Sequence, residues 1–208
     1  MKSYQDTENK IIGNLLKTPL KSKSLNQISI ETKLSYITVH KLIPNLVRKK
    51  LLNLEKKGKA NLISINFEHS SIDNLSSAMI YERNNFLKKK PQITIFLKEI
   101  EEMLADKFYT LILFGSYAKN TTTKTSDIDL LFIIQTRKDI EKYKDKINKV
   151  LKLHSIKTHI SVVAIGDFVD MLNNKHTMGR SAFQNGMVLF GTEQYYAMVK
   201  KYVRTKGY

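Results

Sequence analysis

The stretch "LILFGSYAKNTTTKTSDIDLLFII", residues 111–134, constrains this chain more than any other. The run "FYTLILF" (108–114) is apolar and short enough for a buried strand, and Gly115 ends it with a residue that lets the backbone turn tightly. A hydroxyl-rich loop follows, and a second apolar run opens on Asp127-Ile128-Asp129. Strand side chains alternate between faces, so Asp127 and Asp129 are expected on one face while Ile128 and Leu130 enter the core. Two like charges side by side repel each other and are costly to desolvate. A divalent cation relieves both costs, and oxygen donors on a rigid strand suit Mg²⁺. Ahead of them, Ser116 opens a short helical segment, "YAKN", whose amides and hydroxyl form an anion corner suited to a triphosphate. The pattern predicts phosphate at Gly115 and Ser116, metal at Asp127 and Asp129, and in-line attack on an α-phosphorus. Lys119, Lys124 and Arg137 are cations placed to touch phosphate.

The same residues resemble the signature of the polymerase-beta-like nucleotidyltransferases, in their small minimal-nucleotidyltransferase branch. That signature is an apolar residue, Gly-Ser, a spacer of about ten, then Asp-apolar-Asp-apolar. Here it reads Phe114, Gly115-Ser116, a ten-residue spacer and Asp127-Ile128-Asp129-Leu130, and "FQNGMVLFG" (183–191) is similar to the strand-and-glycine close of such domains. The resemblance covers roughly residues 90–195. It implies an α+β domain with a mixed sheet and helices. It also implies Gly115 and Ser116 on the nucleotide, to which Lys119 is added here as a nearby cation, with Asp127 and Asp129 as metal-binding catalytic residues of a two-metal Mg²⁺ site whose substrate is an NTP, ATP being expected. The family adds a third carboxylate on a later strand beside the first two. The strand expected to carry it, "IKTHISVVAI" (156–165), holds neither Asp nor Glu. His159 and Ser161 stand on the relevant face, Asp167 comes after the strand, and His159 reads as an ordinary strand residue. Three outcomes stay open: a neighbour such as Asp167 substitutes, two carboxylates suffice, or the domain binds nucleotide without efficient turnover.

The first third of the chain follows another pattern. "TENKIIGNLLKT" places Ile11, Ile12, Leu15 and Leu16 on one helical stripe, and Ser24 with Gln27 three residues on is a capping box. Ser35 is placed to cap a third helix, "YITVHKLIPNLVRKK", with Ile37, Leu42, Ile43, Leu46 and Val47 facing inward and Pro44 bending or dividing it. Two alternating strands follow around "EKKGKA", with Gly58 free to take a positive φ. Three helices and a basic hairpin predict a winged helix-turn-helix over residues 1–67 that binds duplex DNA. Tyr36, Thr38 and Lys41 would then sit at the start of the reading helix, and Lys56, Lys57 and Lys59 on the wing. Residues 68–90 read as a helical connector or dimer contact, and residues 91–208 as the nucleotidyltransferase domain, with Pro91 opening a helix.

Charge supports the polyanion partners. Residues 1–66 hold thirteen basic and four acidic side chains, residues 67–106 five and seven, and residues 107–208 seventeen and eight. Such an excess favours nucleic acid through counterion release. The absence of cysteine excludes disulfides and thiolate zinc sites. With no apolar leader in "MKSYQDTENK" and no apolar run approaching the roughly 20 residues that span a bilayer, no membrane partner and a cytoplasmic location are expected.

The expected function is Mg²⁺-dependent transfer of NMP from NTP to a protein, nucleic-acid or small-molecule acceptor, tethered to a DNA-binding domain. A rival is a transcription regulator whose nucleotidyltransferase fold serves as sensor or scaffold. A second is an antitoxin that nucleotidylates a partner toxin.

Overall fold

The stripe at Ile11, Ile12, Leu15 and Leu16 is at most 4% exposed, so the first helix, α1 (Tyr4–Leu16), folds on the face its periodicity predicts. Ser3 caps it with Asp6 in a reciprocal capping box. The computed structural model describes residues 3–58, 60–123, 126–155 and 157–206. The chain divides into two compact units, residues 1–82 with 192–208 and residues 83–191.

In the first unit, β1 (Lys23–Ser24) leads into α2 (Leu25–Thr32), whose Ser24–Gln27 capping box forms as read. Helix α3 (Tyr36–Arg48) is capped by Ser35 and buries Val39, Leu42, Ile43 and Leu46, an i, i+3, i+4, i+7 stripe. Ile37, expected inward, is instead 65% exposed, because the buried stripe starts two residues later at Val39. Pro44 lies inside α3, which runs through it as one helix. It is on the exposed side, where water can bond the backbone acceptor that the missing N–H leaves. Strands β2 (Leu52–Lys57) and β3 (Ala60–Ile65) pair antiparallel around Gly58 at φ +60°, and β1 adds to the other edge of β3. The C-terminal helix, Thr192–Lys206, belongs to this unit: the Lys200 ammonium donates to the Ser70 carbonyl, and Arg204 donates to that of Glu68 at 3.3 Å.

Charge buried here is paired. Glu8, 2% exposed, accepts from Lys49 Nζ at 2.9 Å on both oxygens and from Asn45 Nδ2 at 3.0 Å. Buried Lys23 donates to the Asn14 carbonyl at 3.0 Å, to Asn14 Oδ1 at 3.1 Å and to Glu31 Oε2 at 2.7 Å. Burial alone would push the Glu31 carboxyl up, but hydrogen bonds from Lys23 and Asn14 hold it below its usual range.

The division falls within helix α4 (Ile72–Leu87), at Arg83, and α5 (Pro91–Met103) follows with Pro91 taking its first position. Then come β4 (Tyr109–Phe114), α6 (Gly115–Lys119), β5 (Ile128–Ile134), α7 (Ile140–Leu151), β6 (Thr158–Ala164), α8 (Ile165–Asn173), α9 (Met178–Asn185) and β7 (Met187–Phe190). The sheet order is β6-β5-β4-β7, with β5 and β6 parallel and the other pairs antiparallel. The unit is therefore the α+β domain with a mixed sheet that was expected. Central strands β4 and β5 are buried on both faces, from Leu111 to Leu113 and from Leu130 to Ile134. Among the described residues, no helix is long and apolar enough to cross a membrane.

Candidate active site

Strand β4 pairs with β5 so that Phe114 lies opposite Asp129, which brings Gly115 against the start of β5. Gly115 sits at φ +69°, and a Cβ built on it would overlap the Asp129 carboxylate, reaching 2.9 Å from its Cγ. Only glycine allows this corner, for both its dihedral and its closeness. The corner continues into the five residues of α6, which end at Asn120 in the left-handed region. Ser116 is half-buried, Lys119 is exposed, and Lys90 Nζ stands 5.6 Å from the Tyr117 ring centre. In the loop that follows, Thr123 N–H donates to Ser126 Oγ at 2.8 Å. Lys124 lies outside the described residues.

Asp127 precedes β5 and Asp129 is its second residue, with side chains 31% and 28% exposed. Asp127 Oδ1 is buried and takes no hydrogen bond among the described residues. A buried carboxylate oxygen without a donor suits a cation, and the hard oxygen donors match Mg²⁺ or Mn²⁺. The donor chemistry thus fits a divalent metal. Among the described residues, no group of three or more His, Asp or Glu side chains is placed to hold one, so the two aspartates are the donors on which the fit rests.

Strand β6 lies parallel to β5 with His159 paired to Asp129, so both side chains stand on one face. His159 Nε2 is 3.6 Å from Asp127 Oδ2 and Nδ1 is 3.4 Å from Asp129 Oδ1, while the side chain is 74% exposed. The residue that read as an ordinary strand position therefore stands beside both carboxylates. The signal that finds it is register: the face of β6 that meets Asp129 carries a histidine.

Asp167 takes no part. It lies in the first turn of α8, after the far end of β6, roughly 20 Å of strand from Thr158. There it is bound in a fork by Arg137, whose Nε donates at 2.9 and 3.1 Å, and that guanidinium holds its carboxyl below the usual range. The same pairing takes Arg137 away from the Gly115 corner.

In the first unit, Tyr36 is 50% exposed at the start of α3 and stacks on His40, ring centres 6.0 Å apart. The Thr38 hydroxyl is engaged with Ser35 Oγ at 2.8 Å, and Lys41 is exposed on the next turn. Lys56 and Lys57 are exposed at the end of β2, and Lys59 lies outside the described residues.

Residues 93–181, which contain the Gly115-Ser116 corner, the aspartate pair and β6, match the family described as "Nucleotidyltransferase domain". A protein of Methanocaldococcus jannaschii named "Putative protein adenylyltransferase" is 37% identical to this chain over 70 residues, covering 34% of this chain and 70% of that protein. The chain belongs to the nucleotidyltransferase family.

Proposed function

We propose that this protein moves AMP from ATP onto a protein acceptor at the Gly115–Asp129 corner, and that residues 1–67 form a winged helix-turn-helix that binds duplex DNA. The observation that carries the first part is the approach of Gly115 to Asp129, which joins a sharp backbone corner to two carboxylates on one short stretch of sheet. Asp127 and Asp129 would hold the divalent cation, Asp127 Oδ1 taking no hydrogen bond among the described residues. That cation, when bound, neutralises phosphate charge and favours attack on the α-phosphorus. Gly115 and the Ser116 hydroxyl orient the triphosphate, with Lys119 at the exposed end of α6 as a cation for it. The protein acceptor is favoured by the name of the M. jannaschii relative, and a partner toxin is one acceptor of that class.

The test is incubation of the full chain with α-labelled ATP, Mg²⁺ and extract proteins beside the Asp127→Ala/Asp129→Ala variant. Label is expected on a protein and lost with the variant. ATP binding without transfer to any acceptor would instead favour the regulator reading, with the domain as nucleotide sensor. For DNA, the exposed Tyr36, Lys41, Lys56 and Lys57 support the reading. Duplex affinity of the full chain should fall steeply with salt. Removing Lys56 and Lys57 should lower that log–log slope by about 2. A salt-independent affinity would count against DNA as partner.

A further inference from the structure

We infer that Lys90, held by the ring of Tyr117, is a further phosphate-binding residue of the nucleotide site, and that it meets the β- and γ-phosphates and so separates a triphosphate from a monophosphate. The inference rests on the reading of the Gly115 corner as the place of the triphosphate. It extends that site to a residue ahead of the stretch that matches the family, which begins at residue 93.

The run Lys88-Lys89-Lys90 sets three like charges just before Pro91. Lys88 and Lys89 are exposed, but Lys90 is half-buried, with its Nζ 5.6 Å from the centre of the Tyr117 ring. That is within the range at which an aromatic face attracts an ammonium. Tyr117 is half-buried too and directly follows Ser116, so the cation is drawn to the short helix that carries the corner. A ring orients an ammonium without neutralising it. Elsewhere in this unit Arg137, Lys107, Lys144 and Lys146 have carboxylate partners. Lys90 makes no ion pair among the described residues, and the contacts of Asp127 and Asp129 are with His159.

Chemistry then selects the phosphates. The α-phosphorus, as the point of attack, belongs beside the aspartates and their cation. Lys90 is outside ion-pair distance of both aspartates, so its charge serves the groups beyond that point, the β- and γ-phosphates. Of the other cations placed for phosphate, Arg137 is taken by Asp167 and Lys119 is exposed. A compact ammonium on a flexible stem is a common point-charge partner of such groups. AMP has neither group and should gain nothing from it.

The experiment measures ATP and AMP binding to the full chain with Mg²⁺ by calorimetry. Lys90→Met should weaken ATP roughly tenfold, the loss of one charge-assisted hydrogen bond, and leave AMP within about twofold. Lys90→Arg should recover most of the ATP affinity. Tyr117→Leu keeps the cation but removes the ring that holds it, and should weaken ATP roughly threefold, whereas Tyr117→Phe should bind like the wild type. Circular dichroism checks that each variant folds, and Lys90→Gln serves if Lys90→Met does not. If AMP binds too weakly to measure, recovery by Lys90→Arg decides, and its failure counts against the inference. An unchanged ATP affinity in Lys90→Met overturns it, and so does an equal loss for ATP and AMP, which would assign Lys90 to the shape of the corner. Both results leave the aspartate corner standing. A wild type that binds neither nucleotide overturns the triphosphate reading itself, and the role of Lys90 with it.

Discussion

In the first unit, Glu8 is sealed between Lys49 and Asn45, with both oxygens bonded at 2.9 Å by one ammonium. In the second, Asp127 and Asp129 stand on one face with a buried oxygen that takes no hydrogen bond among the described residues, and an exposed imidazole at 3.6 and 3.4 Å from them. One arrangement neutralises its charge within the fold, and the other leaves it to be neutralised from outside. The first makes the loss of one partner costly to the fold, and under the proposed function the second is where a ligand's charge would be met.

Four measurements bear on this contrast. The largest effect is expected at the corner that brings the unpaired charges close. Gly115→Ala forces a Cβ into the Asp129 carboxylate at φ +69°. Nucleotidyl transfer should fall about a hundredfold, as expected for a displacement near 1 Å at a reacting site. The protein should also lose about 1–2 kcal/mol of stability. Transfer near the wild-type rate would mean that the corner is not where phosphate sits.

On the paired side, Lys49→Met leaves Glu8 buried with Asn45 as its remaining donor. A loss of about 2 kcal/mol in denaturant unfolding is expected, less than a fully buried pair would cost because Lys49 is 45% exposed. An unchanged midpoint would remove the contrast from that side.

The opposite sign is expected in the second unit. Asp127→Asn/Asp129→Asn removes two like charges whose ion-pair contacts, among the described residues, are with the His159 ring at 3.6 and 3.4 Å. It should stabilise the protein by about 1 kcal/mol in the absence of divalent metal. Destabilisation would show that the carboxylates serve the fold.

The smallest effect concerns a surface charge that is paired. Lys107 first, then Lys146, holds the exposed Asp106 carboxyl down to about 2, from an ordinary 3.8. A depressed carboxylate contributes stability that is complete above 3.8 and is lost as pH falls through about 2. An NMR titration should find the low value, and Lys107→Met should raise it. A carboxyl that titrates near 3.8 in the wild type would show the pairing to be ineffective in water.

Much of this was legible in the residues themselves. The Ser24–Gln27 capping box, the stripe of α1 and the strands on either side of Gly115 are local patterns, and each formed where its spacing placed it. The position of Ile37 was not, because a helix with several apolar residues admits more than one stripe until the helices around it choose. The two-residue β1 is too short to show any periodicity. Nothing in the order of residues says on which unit the C-terminal helix packs. His159 is the telling case. Its closeness to Asp129 depends on the register of two parallel strands joined through a helix, a relation across 30 positions that no local pattern encodes.

That register also sets which length changes the domain can absorb. Residues gained or lost in the turns flanking α7 would lengthen or shorten the crossover and leave β6 beside β5. A single deletion within β6 ahead of His159 is different. It would draw the strand along by one place, turn the imidazole to the opposite face and set Ile160 beside the carboxylates. Loops there tolerate drift in length, and the first residues of β6 do not.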